Sequence, residues 1–443
     1  MERSKGIIIL NFIIHRGTKE IGGSCVEIWT DNTRIVIDIG MPLVEKDGSE
    51  FDFTKYQKLS PNELINKGIL PNIDGLYANA KNLIDGVLIS HPHIDHYGFS
   101  SYLHPEMKYY LGEAAHKIIE LTSIFTPQQN NIKNATYFEK SKPFNIGDIT
   151  VTPFWMDHSA FDAYAFLIET NGKTLFYSGD FRGHGRKQRT FKWFTHNAPK
   201  NVDYLLLEGT QIERNTKKDA TEDDIENELV NIFSEKEKIN LIYSSGQNID
   251  RLVSIYRACK KTGKLFVIDV YIATVLKELS KHAAIPFPSK NFDEVKVIFP
   301  YFLCKRLASE NNEKLLYQFR KFKITKEQIS SNKSNIVLLV RPSMKFDLEH
   351  IPNIEGGNLI YSLWEGYLQK ENTQKFIDYL SNKQFKLYKV HTSGHADIGT
   401  LNQMVNAIDP KIIVPIHTFS GDEYKRHFNC PVLEIRDGEE ITI

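Results

Sequence analysis

The eleven residues Leu88-Ile89-Ser90-His91-Pro92-His93-Ile94-Asp95-His96-Tyr97-Gly98 restrict this chain more than any other stretch. Four side chains able to bind a metal, His91, His93, Asp95 and His96, fall within six residues. They follow an apolar run, Gly86 to Ile89, that reads as a buried strand. Side chains alternate across extended backbone, so His91 and His93 point the same way, while Asp95 and His96 fall where the chain turns towards a helix. Such a stretch can feed two metals at once. Imidazole and carboxylate without cysteine suit zinc first, with manganese or iron as alternatives. A lone His-x-His reads more readily as a histidine-rich surface loop; the longer pattern, with further ligand types downstream, argues against that.

The 443 residues allow two or three domains, or one large domain with an insertion. Lys plus Arg and Asp plus Glu number 55 each, so no overall charge points to nucleic acid or membrane, although a local basic groove stays open. Cys25, Cys259, Cys304 and Cys430 are scattered without a Cys-x-x-Cys spacing and read as reduced thiols of a cytoplasmic protein. The apolar stretch Ile7 to Ile14 is broken by Asn11 and lacks a cleavage site, so it reads as a strand, not a signal peptide. No run approaches a membrane span, which predicts no membrane partner.

Strands are expected from Ile7 to Asp38 without intervening helices, as an antiparallel half-sheet, and Ala163 to Glu169, Asn171-Gly172 and Thr174 to Tyr177 predict a hairpin. The histidine motif resembles the signature of the metallo-β-lactamase fold superfamily. By that resemblance Asp38, at the tip of Ile35-Val36-Ile37, supports the metal loop from behind. His158, at a strand end, becomes the third ligand of the first metal, after His91 and His93. Asp180, in Ser178-Gly179-Asp180, is placed to bridge, because the two oxygens of a carboxylate can serve two ions about 3.5–4 Å apart.

From about Thr221 the pattern changes to alternating strands and helices, which predicts a separate parallel α/β unit. Histidines return afterwards, in Ser393-Gly394-His395-Ala396 and Pro415-Ile416-His417-Thr418. With Glu208-Gly209-Thr210, these motifs make the chain resemble the β-CASP branch of the superfamily, and within it the ribonuclease J-type enzymes. The expected fold is α/β: a metallo-β-lactamase αββα sandwich formed by residues 1–210 and 385–443, with a parallel α/β β-CASP domain, 211–384, inserted. The resemblance implies that His417 joins Asp95 and His96 on the second metal. It also implies that His395 contacts the scissile phosphate or acts as general acid, oriented by Glu208. Asp95 is grouped with these two as catalytic.

The implied activity is metal-dependent hydrolysis of phosphodiester bonds, internally or from the 5′ end, by a hydroxide shared between two zinc ions, manganese remaining open. RNA is the preferred substrate over single-stranded DNA. Arg182, Ser393 and Gly394 are candidate substrate contacts, Arg182 leading a basic stretch with Arg186, Lys187, Arg189 and Lys192 that reads equally as a solvated loop. Ser244-Ser245-Gly246-Gln247-Asn248, before a helix, can hold a phosphate or serve as a plain loop. Two departures from ribonuclease J are the absence of an extra C-terminal domain, which leaves a homodimer open, and the lack of a recognisable Gly-rich phosphate loop near Arg341-Pro342-Ser343-Met344. The competing reading is a hydrolase of a small ester, lactone or thioester. That activity needs neither the inserted domain nor His395.

Overall fold

The structure, a computed structural model, describes residues 9–45, 48–213, 219–235 and 237–443. Ile7 and Ile8, where the sequence begins the first apolar run, lie outside them; the described strand is Asn11–Arg16. Within it Phe12 and Ile14 are buried and Asn11 and Ile13 only partly so, the alternation of a strand with one face on a core.

Among the described residues the strands form three sheets. The first holds β1 (Asn11–Arg16), β2 (Cys25–Trp29), β3 (Arg34–Ile37), β4 (Gly86–Leu88), β5 (Lys108–Leu111), β6 (Asn134–Tyr137) and the last strand, β19 (Glu440–Thr442). The second holds β7 (Phe144–Ile146), β8 (Ile149–Met156), β9 (Ala163–Thr170), β10 (Lys173–Tyr177), β11 (Tyr204–Glu208) and β18 (Ile412–Ile416). The third holds β12 (Asn240–Tyr243), β13 (Leu265–Asp269), β14 (Val295–Ile298), β15 (Ile336–Val340), β16 (Asn358–Tyr361) and β17 (Lys386–Lys389).

β1, β2 and β3 pair antiparallel, as the helix-free spacing requires, and β3, β4 and β5 pair parallel. The β9–β10 hairpin turns on Asn171 and Gly172 at φ of 46° and 77°, the left-handed pair that a two-residue turn needs. Phe12, Val26, Leu88, Phe166, Leu206 and Val414 interlock between the first two sheets as one core. Helices cover both outer faces: Leu64 and Ile119 lie over the first sheet, Phe191, Phe194, Leu401 and Met404 over the second. This is the αββα layering that the sequence predicts, because each sheet buries one face on its partner and the other on helices.

The third sheet is parallel throughout, in the order β14-β13-β15-β12-β16-β17. Its central strand Ile336–Val340 is buried at every residue, as expected where helices cover both faces. The strand at 386–389 falls in the returning segment by the sequence boundary at 385. It pairs with β16 and forms the edge of this inserted sheet instead, its main chain supplying the hydrogen bonds that β16 would otherwise lack. The helix Glu113–Phe125 ties the two bodies together, with Ala114, Ile118 and Phe125 packing into the core that holds Tyr271, Ile272 and Val275. No helix among the described residues is long and apolar enough to cross a membrane.

Candidate metal centre

β8, β10, β11 and β18 run in one direction, and their carboxyl ends deliver His158, Asp180, Glu208 and His417 to one edge of the second sheet. β4 of the facing sheet delivers the histidine motif to the same place. His91, His93 and His158 gather with ligand atoms within 4.8 Å of one another, as do Asp95, His96, Asp180 and His417. His158 Nε2 lies 3.2 Å from His93 Nδ1. One oxygen, Asp180 Oδ2, faces both groups, at 3.2 Å from His96 Nε2, 3.8 Å from His417 Nε2 and 3.8 Å from His91 Nε2. His417 Nε2 stands 3.4 Å from Asp95 Oδ2.

The electrostatics suit cations. Burial, followed by the neighbouring rings His96 and His158, holds His91 well below the usual imidazole range. Burial likewise holds His158 well below it and His93 at about 4. Neutral rings are the form that binds a metal. His91 Nε2, on the Asp180 side, is buried without a hydrogen-bond partner among the described residues, a costly state that an electrophile relieves. Burial favours a protonated Asp180, but His417, His96 and His395 outweigh it and keep the carboxylate well below its usual range. Asp95 is held at about 2 in the same way, burial being overcome by His96 and His417. Seven side chains in all, His91, His93, Asp95, His96, His158, Asp180 and His417, thus make up two adjoining groups whose donors could hold metal.

Outer partners aim these rings. Asp38, fully buried and at φ 60°, accepts hydrogen bonds from Ser90 N, Ser90 Oγ and Tyr177 Oη, and lies 2.7 Å from His96 Nδ1. Thr210 Oγ1 sits 2.8 Å from His417 Nδ1, leaving Nε2 for the Asp95 side, where the Gly22 N–H also approaches at 3.0 Å. Gly40 is required here: a Cβ would lie 1.7 Å from the Asp95 carbonyl oxygen.

Beside this group stands a second pair. His395 Nδ1 lies 3.4 Å from Glu208 Oε2 and 3.7 Å from Asp180 Oδ2, and the ring is one-fifth exposed. Burial disfavours its charge, but Glu208 and then Asp180 prevail and raise it to about 9. Glu208 is itself fixed, accepting from Thr210 N at 3.1 Å and Ala396 N at 3.3 Å.

A family model described as a beta-lactamase superfamily domain matches residues 76–230, and one described as a Zn-dependent metallo-hydrolase RNA specificity domain matches 382–420. Ribonuclease J of Helicobacter pylori (strain ATCC 700392 / 26695) is 24% identical, across 96% of this chain and 60% of that protein. The chain is thus similar to ribonuclease J, and its residues 76–230 to a beta-lactamase superfamily domain. Ribonuclease J of Mycoplasma genitalium (strain ATCC 33530 / DSM 19775 / NCTC 10195 / G37) is 23% identical over 90% of this chain and 66% of that protein. A crystal structure of a protein of unknown function from Enterococcus faecalis V583 superposes with a TM-score of 0.78 at 21% identity, covering 98% of this chain and all of that one, and so has the same fold. The chain spans about 60% of the length of the H. pylori protein.

Of the basic stretch after Asp180, Arg189 and Lys192 are exposed, whereas Arg182, Arg186 and Lys187 are engaged by carboxylates. Arg182 is completely buried, bound to Asp250 at 2.6 Å and donating to the Ser393 carbonyl at 2.8 Å. Arg186 pairs with Asp223 and Glu226 at 2.5 Å each, and Lys187 with Asp250 at 2.8 Å. Buried guanidinium needs buried carboxylate, and the inserted domain provides it. His184, also buried, places Nε2 3.0 Å from the Ser393 carbonyl. Arg251 directs its guanidinium to the Val390 and Thr392 carbonyls. Arg182, His184 and Arg251 therefore hold the strap 390–393 that leads to His395. Ser393 Oγ accepts from His395 N at 3.1 Å, and Gly394 packs on Ser159, where a Cβ would lie 2.7 Å from Oγ.

Thr210, Ser90 and Tyr177 are the site residues to which sequence reading assigns no role. Thr210 and Ser90 lie inside motifs picked out for other residues, and Tyr177 ends the strand before Asp180. Which hydroxyl meets which ring depends on strand pairing far apart in sequence.

Proposed function

We propose that this protein is a metal-dependent nuclease that hydrolyses phosphodiester bonds of RNA. The observation that carries the reading is the joining of two ligand groups by one carboxylate oxygen of Asp180, with the His395–Glu208 pair beside it. The ribonuclease J names of the relatives and the RNA specificity description of the 382–420 match support RNA over DNA. His91, His93 and His158 would hold one ion, Asp95, His96 and His417 the other, and Asp180 both. The chemistry such a pair supplies when bound is activation of water near neutral pH and neutralisation of charge on the attacked phosphate. Zinc fits the histidine-dominated donors, and manganese is the alternative to test.

His395 supplies the proton for the leaving 3′ oxygen. Glu208, facing Nδ1, keeps the ring charged, so the imidazolium has a proton to give at neutral pH. Ser393 and Gly394 shape the turn that presents this ring to the strand. Arg182 has no part in holding the phosphate, since its donors face inward. The small-ester alternative is disfavoured by the partly exposed His395–Glu208 pair, for which hydrolysis of an activated acyl group has no use.

The test is cleavage of single-stranded RNA labelled at either end, with single-stranded DNA and a thioester as comparators, after loading with zinc or manganese. RNA cleavage is expected, and the end that retains label in the first products separates internal from terminal cutting. His395→Ala should lose about 10²–10⁴-fold in turnover with both metals retained, and His93→Ala should lose metal and activity together. Preferential thioester hydrolysis, or normal cutting by His395→Ala, would overturn the reading.

A further inference from the structure

Beyond the two ligand groups described above, the cleft holds a further one. Asp180, Glu208, His395 and His417 have ligand atoms within 4.8 Å of one another. Asp180 and His417 are shared with the Asp95 and His96 group, whereas Glu208 and His395 belong to this group alone.

The spacings around His395 are those of ligands on one ion. Its Nδ1 lies 3.4 Å from Glu208 Oε2 and 3.7 Å from Asp180 Oδ2, and is buried without a hydrogen-bond partner among the described residues. A charge-assisted hydrogen bond draws nitrogen and oxygen to about 2.7–2.9 Å. Two ligands each about 2.0–2.1 Å from a tetrahedral zinc ion stand about 3.3 Å apart. His417 Nε2 and Asp95 Oδ2, in the neighbouring group, show the same separation of 3.4 Å.

Both donors are already in place. Glu208 Oε1 accepts from Phe181 N at 3.4 Å and Ala396 N at 3.3 Å, and Oε2 from Thr210 N at 3.1 Å, which leaves Oε2 a second lone pair. Gln211 Nε2 donates to the His395 carbonyl at 2.7 Å, and Ser393 Oγ accepts from its N–H at 3.1 Å. The His395 side chain is 22% exposed, and those of Asp180, Glu208 and His417 are almost wholly buried. An arriving ion therefore meets His395 first.

We propose that this group is an inhibitory metal seat, in which zinc in excess of the resident pair binds Glu208 and His395, with Asp180 at its flank, and stops cutting. A ring that ligates through Nδ1 keeps one proton where the imidazolium has two, the displaced proton passing to water. The same ring cannot then hold zinc and supply the leaving oxygen. With two side chains of its own, against three and a share of Asp180 for each resident ion, the seat fills after those are full. Its effect on cutting rests on the nuclease reading, while binding of the ion does not.

The experiment is equilibrium dialysis of the full chain against buffered free zinc, with bound zinc counted by atomic emission, beside cleavage of end-labelled single-stranded RNA at the same free zinc. Two ions should bind tightly and a third at higher free zinc, with cutting falling as the third binds. Glu208→Gln and His395→Ala should each weaken the third step by more than about tenfold, keep the first two, and make the residual cutting insensitive to added zinc. His395 is partly exposed, so its truncation leaves the core intact. A count that stays at two while zinc stops the cutting, a third step unchanged in both variants, or a third ion that leaves cutting unaffected would overturn the seat. RNA cutting accompanied by any of these sinks the seat alone. A third ion lost in both variants of a protein that cuts no RNA sinks the nuclease reading and leaves the metal site standing.

Discussion

An imidazole has two nitrogens, and at this centre a neighbour occupies one so that the other is aimed. Asp38 takes Nδ1 of His96 and Thr210 takes Nδ1 of His417, leaving both Nε2 atoms on the Asp180 side. Such outer partners set the tautomer and typically govern metal affinity by about 10–100-fold. Thr210→Val, which keeps the shape and removes the oxygen, should weaken one of two zinc-binding steps by about that factor. Calorimetric zinc titration of the metal-free protein reads this directly, and two unchanged steps would exclude the role for Thr210. Carboxylates favour the charged form over burial both in His96, beside Asp180 and Asp38, and in His395, beside Glu208 and Asp180. The lowered rings of His91, His93 and His158 suit binding a metal, while the raised ring of His395 suits giving a proton.

At the scale of elements, the important device is the strap 390–393 between β17 and the helix Ile398–Ile408. Arg182, Arg251 and His184 grip its carbonyls, and the charges of the two arginines are balanced by Asp250 and Glu222. Removing one partner of a buried pair leaves an uncompensated charge, so Arg182→Met should destabilise the fold by roughly 3–5 kcal/mol, read by denaturant unfolding. Glu222 makes the same cluster sensitive to acid. Burial would raise its pKa, but Arg251 and Arg182 bring it from 4.5 down to about 2. A group lowered on folding contributes stability above its unfolded value, and that contribution disappears as pH falls from 4.5 through about 2. At 1.36 kcal/mol per pKa unit this is roughly 3 kcal/mol at neutral pH. Glu222→Gln should flatten the stability profile between those pH values, and an unchanged slope would show that the cluster is not the acid-sensitive element. The helix Ile398–Ile408 starts on Asp397, whose carboxylate accepts from Thr400 N at 2.7 Å. Asp397→Ala should cost about 1 kcal/mol, measurable in the same experiment.

For the whole molecule, the centre joins parts of the chain that lie far apart in sequence. The ligand-competent residues run from His91 to His417, on two facing sheets, with the inserted sheet lying between Glu208 and His395 in sequence. Ions bound there bind the folded state alone. Chelation should therefore lower the thermal midpoint by several degrees, since each site filled at a hundred times its Kd contributes about 2.7 kcal/mol. Scanning calorimetry with and without chelator checks this, and His93→Ala should show no such difference.

Much of this was legible in one dimension because it is local. The spacing of His91, His93, Asp95 and His96, the Asn171-Gly172 turn and the change of pattern near Thr221 each depend on residues a few positions apart, where strand alternation and turn chemistry act. Acids and histidines at strand ends, Asp180, Glu208 and His417 among them, could be picked out for the same reason. The sequence reading failed where the decisive partner is remote. Arg182 reads as an exposed phosphate grip until Asp250, brought against it by the inserted domain, takes its guanidinium into the interior. The strand 386–389 reads as part of the returning segment until pairing with β16 assigns it to the other sheet. Composition and periodicity determined which chemical groups this protein has and the elements on which they sit. Tertiary structure alone decided which charges are neutralised and which remain free, because burial and pairing are set by residues hundreds of positions away.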